Sequence, residues 1–160
     1  MAGSEKTGLE NAQDDLFEGK SCFVTPTDDS DTQATNTVSA FWEALGSNIY
    51  TESPERHDAI VAQISHVPHI LAAALASYLS REETDAQNLC GNGLKDTTRI
   101  ASGSPELWQE IISQNGTEIL KSLDQFQKEI DAFKETIVNE DTAKTIEFLA
   151  RGKEFRDSIQ

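Results

Sequence analysis

SPERHDAIVAQISHVPHILAAALASY, residues 53–78, is the stretch on which the reading of the fold turns. Ile60, Ile64, Val67, Leu71, Leu75 and Tyr78 recur at spacings of three and four, which on a helix puts them on one face. Ala62, Ser65, Ala72, Ala73 and Ala76 occupy the other side with small side chains. A helix apolar on one side and small on the other is packed all round, so this segment is expected at the centre of a helical domain. Ser53 can cap free amides, and Pro54 at the first helical position loses no hydrogen bond. Pro68 lies in the interior, where it should kink the helix at a cost that packing must offset.

Working outward, the pattern changes near residue 53. Before it, SCFVT (21–25) and SNIYT (47–51) are short β-prone runs. Between them Ala34, Val38, Phe41, Trp42 and Leu45 carry helical spacing over residues 32–45. That order is strand, helix, strand. Two strands cannot sustain a parallel sheet by themselves, so residues 1–53 read as the tail of an α/β unit cut from something larger. Residues 54–160 read as all helical, which makes the chain mainly α. A break with permissive glycines is expected at GNGLKD (91–96). Ser104 and Pro105 then repeat the cap-and-proline start for a helix bearing Leu107, Trp108, Ile111 and Ile112. After Asn115 and Gly116 comes a long amphipathic helix with Ile119, Leu120, Leu123, Phe126, Ile130, Phe133 and Ile137. The last helix carries Ile146, Phe148 and Leu149. Stripes of this length are commonly shared between subunits.

The 160 residues include 13 basic and 28 acidic side chains, a net charge of −15. Such a surface repels nucleic acid and anionic membrane, so neither is expected as a partner. An anionic ligand must find a local positive pocket. Cys22 and Cys90 have no paired spacing, which points to a reducing, cytoplasmic interior. The longest apolar run, near residues 67–76, is short of a membrane span. Asn115-Gly116-Thr117 fits a glycosylation sequon, a pattern that matters only in secreted chains.

Two clusters could carry chemistry. In the first, Ser65 and His69 are four apart and share a helix face with His66 nearby. A nucleophilic serine also needs an oriented base and an oxyanion hole, and a metal needs a third ligand; the sequence displays neither, so no metal site is assigned. The second is KDTTRIASGSPELW (95–108). Arg99 there offers a planar fork that binds carboxylate or phosphate with two parallel hydrogen bonds. A pocket joining Arg99, His69 and Lys95 is the expected anion site.

HDAIVAQISHVPHILAAALA followed by KDTTRIASGSPELWQEI resembles the prephenate dehydrogenase family, whose close relatives include arogenate dehydrogenases. The start, MAGSEKTG and then LFEGKSCFVTP, is similar to the family's segment beginning His-Pro-Met-Ala-Gly-Ser-Glu. The resemblance implies oxidation of prephenate by NAD or NADP with loss of carbon dioxide, giving 4-hydroxyphenylpyruvate in tyrosine biosynthesis. It implies that Arg99 binds a substrate carboxylate, that His69 and Trp108 line the same pocket, and that Ser65 and His66 lie beside it. It also implies that residues 1–53 are the incomplete C-terminal end of a nucleotide-binding α/β domain of Rossmann type, and that residues 54–160 are a substrate-binding domain through which a homodimer forms. The sequence departs from the family in three ways. No Gly-x-Gly-x-x-Gly follows a strand; the family's catalytic histidine would fall just before Met1; and Leu94 replaces the aromatic usual before the Lys-Asp pair. Two expectations therefore stand. One is the C-terminal part of a prephenate or arogenate dehydrogenase, inactive alone; the other is a non-catalytic helical dimer or remnant that keeps an anion-binding pocket.

Overall fold

The computed structural model describes residues 8, 11–81 and 85–159. Most of the MAGSEKTG resemblance therefore lies outside the described residues. The order of elements is β1 (Ser21–Val24), α1 (Thr32–Ala44), β2 (Asn48–Thr51), α2 (Pro54–Val61), a π-helical turn (Ala62–His66), α3 (Val67–Leu79), α4 (Ala86–Leu89), α5 (Asn92–Thr98), a 3₁₀ turn (Arg99–Ser102), α6 (Pro105–Gln114), α7 (Gly116–Val138) and α8 (Thr142–Ser158). The chain is mainly α with a strand-helix-strand start, as its periodicity indicates.

β1 and β2 pair in parallel, with Ser21 opposite Asn48 and Val24 opposite Thr51. α1 makes the crossover a parallel pair requires. Its N-terminus is capped by Asp31, whose carboxylate accepts from the Ala34 amide at 2.7 Å. Phe17 packs edge-on against Trp42 at 5.1 Å, covering one side of that helix. The turn into β2 needs Gly46 at φ +86, a conformation that glycine adopts without strain.

The helix beginning at Pro54 starts as the sequence indicates, with the Ser53 hydroxyl accepting from Arg56 N–H at 3.2 Å. Its buried face differs from the simple periodicity. Val61, Ala62, Val67, His69 and Ala72 are buried, whereas Ile64 is 55% and Tyr78 57% exposed. The cause is the π-helical turn, in which Val67 N–H bonds to the Ala62 carbonyl five residues back. One extra residue in the turn rotates everything after it relative to everything before, so a single three-and-four spacing cannot describe both halves. The turn also accommodates Pro68, which lacks an amide hydrogen and would press on the carbonyl four residues earlier.

Two further readings are corrected. The break at GNGLKD is confined to its start: Cys90 and Gly91 are extended, Gly91 has φ −82 and so uses no left-handed conformation, and Asn92–Thr98 is helical. The apolar stretch is also longer than the 67–76 run, because Pro54–Leu79 forms one 26-residue helical path with a mean hydropathy of 1.6 over its most apolar window. Length and composition alone would let it cross a membrane; His57, Asp58, His66 and His69 along it, with their polar and aromatic partners, are the chemistry of a protein core.

By its internal contacts the chain forms two compact units, residues 1–119 and 120–160. The second is a helical hairpin. Phe133 packs on Phe148 at 4.9 Å, Arg151 reaches Glu129 at 2.6 Å, and the buried Thr136 hydroxyl accepts from Thr145 at 2.9 Å. Glu140, at φ 51, turns the chain, and Asp141 caps α8 through the Lys144 amide at 3.0 Å.

Candidate active site

α6 opens with Ser104 as cap, its hydroxyl accepting from Leu107 N–H at 3.3 Å. Pro105 in the first turn presets the backbone. This start places Trp108 over α3, where the indole lies flat on the His69 imidazole, with centroids 3.5 Å apart and planes 10° from parallel. His66 meets the same indole nearly perpendicular, at 6.1 Å and 85°. Helix spacing set by the π turn thus brings both histidines of the ISHVPH stretch onto one tryptophan.

Gly103 fills the corner of this arrangement. A Cβ there would stand 2.7 Å from Trp108 Nε1 and 3.2 Å from His69 Cε1. Its φ of −63 is open to any residue, so glycine is required for space and not for backbone freedom. Beside the stacked rings is an open cavity of ≈ 500 Å³, whose walls include His69, Trp108, Ile70, Ala73, Ala101 and Ile112. Gln109 and Ser113 supply polar atoms at its edge.

The six residues singled out by sequence are divided by the fold. His69 and Trp108 line the cavity, and His66 abuts Trp108. Ser65 is half-buried on the π turn. Arg99 and Lys95 are exposed and are not among the lining residues, although Ala101 and Gly103, two and four residues beyond Arg99, are. Among the described residues Arg99 has no ion-pair partner, so its fork is available to a ligand. The cavity itself is mostly apolar.

Its histidines are held neutral. Burial lowers His69 below the ordinary imidazole value of 6.5. For His66 burial also leads, followed by nearby His57, and the opposing pull of Asp58 is weaker. At neutral pH these rings act as hydrogen-bonding and stacking groups, not cations.

Sequence reasoning overlooked Asn115. It is buried, its Nδ2 donating to the Asp58 carbonyl at 2.8 Å and approaching His66 Nδ1 at 3.3 Å. That placement also removes the sequon as a glycan acceptor. An asparagine between two helices carries no signal that separates a cap from a clamp.

Among the described residues, neither strand-to-helix junction leaves a helix N-terminus open to a nucleotide phosphate. Between β1 and α1 there is no glycine, and Asp28, Asp29 and Asp31 crowd the junction. Asp31 itself occupies the helix N-terminus at which a pyrophosphate would sit. The next strand-to-helix junction is closed in the same way by Ser53.

Comparison with known proteins matches the dimerization domain of prephenate dehydrogenase to residues 53–151. The chain belongs to the prephenate dehydrogenase family. The nucleotide-binding domain of the same family matches residues 1–51. The prephenate dehydrogenase of Bacillus subtilis is 33% identical over 99% of this chain and 44% of its own length. The cyclohexadienyl dehydrogenase of Zymomonas mobilis is 28% identical over 100% of the chain and 56% of its own. The chain thus spans about half the length of these relatives. Among solved structures, prephenate dehydrogenase from Aquifex aeolicus, in complex with hydroxyphenyl propionate and NAD+, superposes with a TM-score of 0.93 at 36% identity, covering all of this chain and 57% of that one. Arogenate dehydrogenase from Synechocystis gives 0.86 at 31%, covering 99% and 59%.

Two outcomes follow from the family site's geometry. Gly103→Ala should separate the His69 and Trp108 rings, seen as a changed near-ultraviolet circular dichroism spectrum and loss of the upfield ring-current shift of the His69 protons, with helical content retained. Because folding depresses the pKa values of His66 and His69, the unfolded chain binds more protons between their folded values and 6.5. Their contribution is complete above about 6.5 and is lost as pH falls, so the melting temperature should drop on acidification through that window, and His69→Gln should flatten the drop.

Proposed function

We propose that the chain is the substrate-binding and dimerisation part of a dehydrogenase acting on prephenate or arogenate, with NAD or NADP held chiefly by residues outside this chain. The observation that carries this reading is the neutral His69 stacked on Trp108 at the wall of a mainly apolar cavity, one short turn from the exposed Arg99. A cyclohexadiene ring carrying carboxylates needs such a pairing of a flat apolar wall and a nearby cation. Arg99 takes a carboxylate through its fork, the stacked pair packs the ring, and His66 and Ser65 supply polar atoms beside it. Lys95, also exposed, adds positive charge to an otherwise acidic surface. Cys22 and Cys90, half-buried and not joined in a disulfide, suit a cytoplasmic enzyme.

Homodimer formation is part of the same proposal. Leu120, Ile137, Val138, Ile146, Leu149 and Phe155 are each at least 57% exposed, more apolar surface than a small monomer ordinarily leaves in water. The family's matched domain is named for dimerization.

The chain as it stands should show no turnover of prephenate with either nucleotide, since it builds no phosphate site. A version extended upstream by the family's glycine-rich unit and histidine should be active. In that version Arg99→Ala should weaken substrate binding at least about tenfold, the low end of a charge-assisted pair worth ~1.5–3 kcal/mol. His69→Asn should weaken it less. Turnover by the unextended chain, or intact binding in Arg99→Ala, contradicts the reading. Sedimentation at micromolar concentration should give a dimer that Phe126→Asp dissociates with helicity retained; a folded wild-type monomer would refute the dimer.

A further inference from the structure

The π turn is held from outside its own helix, and the holding group is Asn115. Its side chain reaches from the corner between α6 and α7 to two points on the long helix, the Asp58 carbonyl and the His66 ring. The chemistry of an amide dictates its orientation here. A carbonyl accepts only, so the group facing Asp58 O at 2.8 Å is the NH₂, a donor. The same NH₂ lies 3.3 Å from His66 Nδ1. Having no lone pair to offer, it requires Nδ1 to be the acceptor. Flipping the amide would satisfy a protonated Nδ1 but would set Oδ1 against the Asp58 carbonyl, two acceptors face to face in a buried place.

We propose that Asn115 is a positioning residue that fixes His66 as the neutral tautomer protonated at Nε2, so that the site's edge-on histidine presents a hydrogen-bond donor to an acceptor oxygen of the substrate and never a cation. The part concerning substrate rests on the function proposed above; the tautomer does not.

The groups that bear on the His66 charge agree. His57, whose Nδ1 donates to Asp58 Oδ1 at 2.9 Å, works against a positive charge on His66, and burial acts more strongly in the same direction. The Asp58 carboxylate, which alone favours the cation, is already engaged by His57. The clamp also explains why the turn is stable at this place. Asn115 ties the residue four before the turn to the residue at its end, so the extra residue cannot migrate along the helix without breaking both contacts.

The test is the imidazole ¹⁵N spectrum of the 160-residue chain near pH 7.5, with His66 assigned by loss of its signals in His66→Gln. A protonated Nε2 and an unprotonated Nδ1 are expected. A protonated Nδ1, or the averaged shifts of a free imidazole, overturns the proposal. Asn115→Asp replaces the donor by an acceptor and should invert the tautomer; Asn115→Ala should release it to the averaged state. Unchanged His66 shifts in both folded variants overturn the proposal as well, and if neither variant folds the wild-type spectrum decides. No turnover is read in this experiment, so a wrong function would appear as an inactive extended enzyme with the tautomer intact.

Discussion

The extra residue of the π turn at Ala62–His66 is the constraint on which the rest of the structure depends. A proline in the middle of a long apolar helix would otherwise leave a clash and a missing hydrogen bond. Widening the preceding turn accommodates both, and it resets which side chains face inward. After that reset Ile64, on the stripe that constant spacing would bury, is 55% exposed, while Val67 and His69 are buried. The cost of an irregular turn, commonly borne at functional sites, is met by burial of Ala62, which is fully covered, and by the Asn115 clamp.

The candidate site follows from that geometry by short steps. α6 starts where Ser104 and Pro105 put it, Trp108 falls one turn later, and Gly103 leaves just enough space for the indole and imidazole to lie parallel. The result is a surface that is flat, apolar and uncharged, with the positive group set apart on the 3₁₀ turn. Separating the cation from the wall has a physical advantage. An exposed guanidinium keeps its hydration until a carboxylate arrives, whereas one buried in the apolar wall would need a permanent partner.

The two compact units differ in what they leave uncovered. The first has most of its buried residues along the path from α2 through the π turn to α3, with Ser47, Asn115 and Ile119 beside them, and carries the site. The second closes itself only along one seam, through Phe133, Phe148, Thr136 and Thr145, and leaves large aliphatic side chains in water. A hairpin of two helices has too little volume to bury a stripe as long as that of α7, and it lies largely within the stretch matched to the family's dimerization domain.

Local patterns in the sequence determined the elements with local causes. Ser53-Pro54 and Ser104-Pro105 start helices because a cap and a fixed φ act within one turn, and the β-prone runs before residue 53 became strands because α1 between them allows a parallel crossover. The motifs around His69 and Arg99 were sufficient to indicate the family, which comparison confirmed. What the tertiary structure alone decided depends on contacts far apart in the chain. The π turn changes the helical period, so the buried face could not be read from a constant spacing, and α5 runs from Asn92 through Gly93 despite that glycine. His69 lines the cavity wall, whereas Arg99 is exposed on the 3₁₀ turn that leads to its lining residues Ala101 and Gly103. Asn115, 57 residues from Asp58, gained its role only when folding brought an amide donor to a carbonyl and a ring nitrogen, because hydrogen bonding acts over a few ångströms of space and is indifferent to distance along the chain.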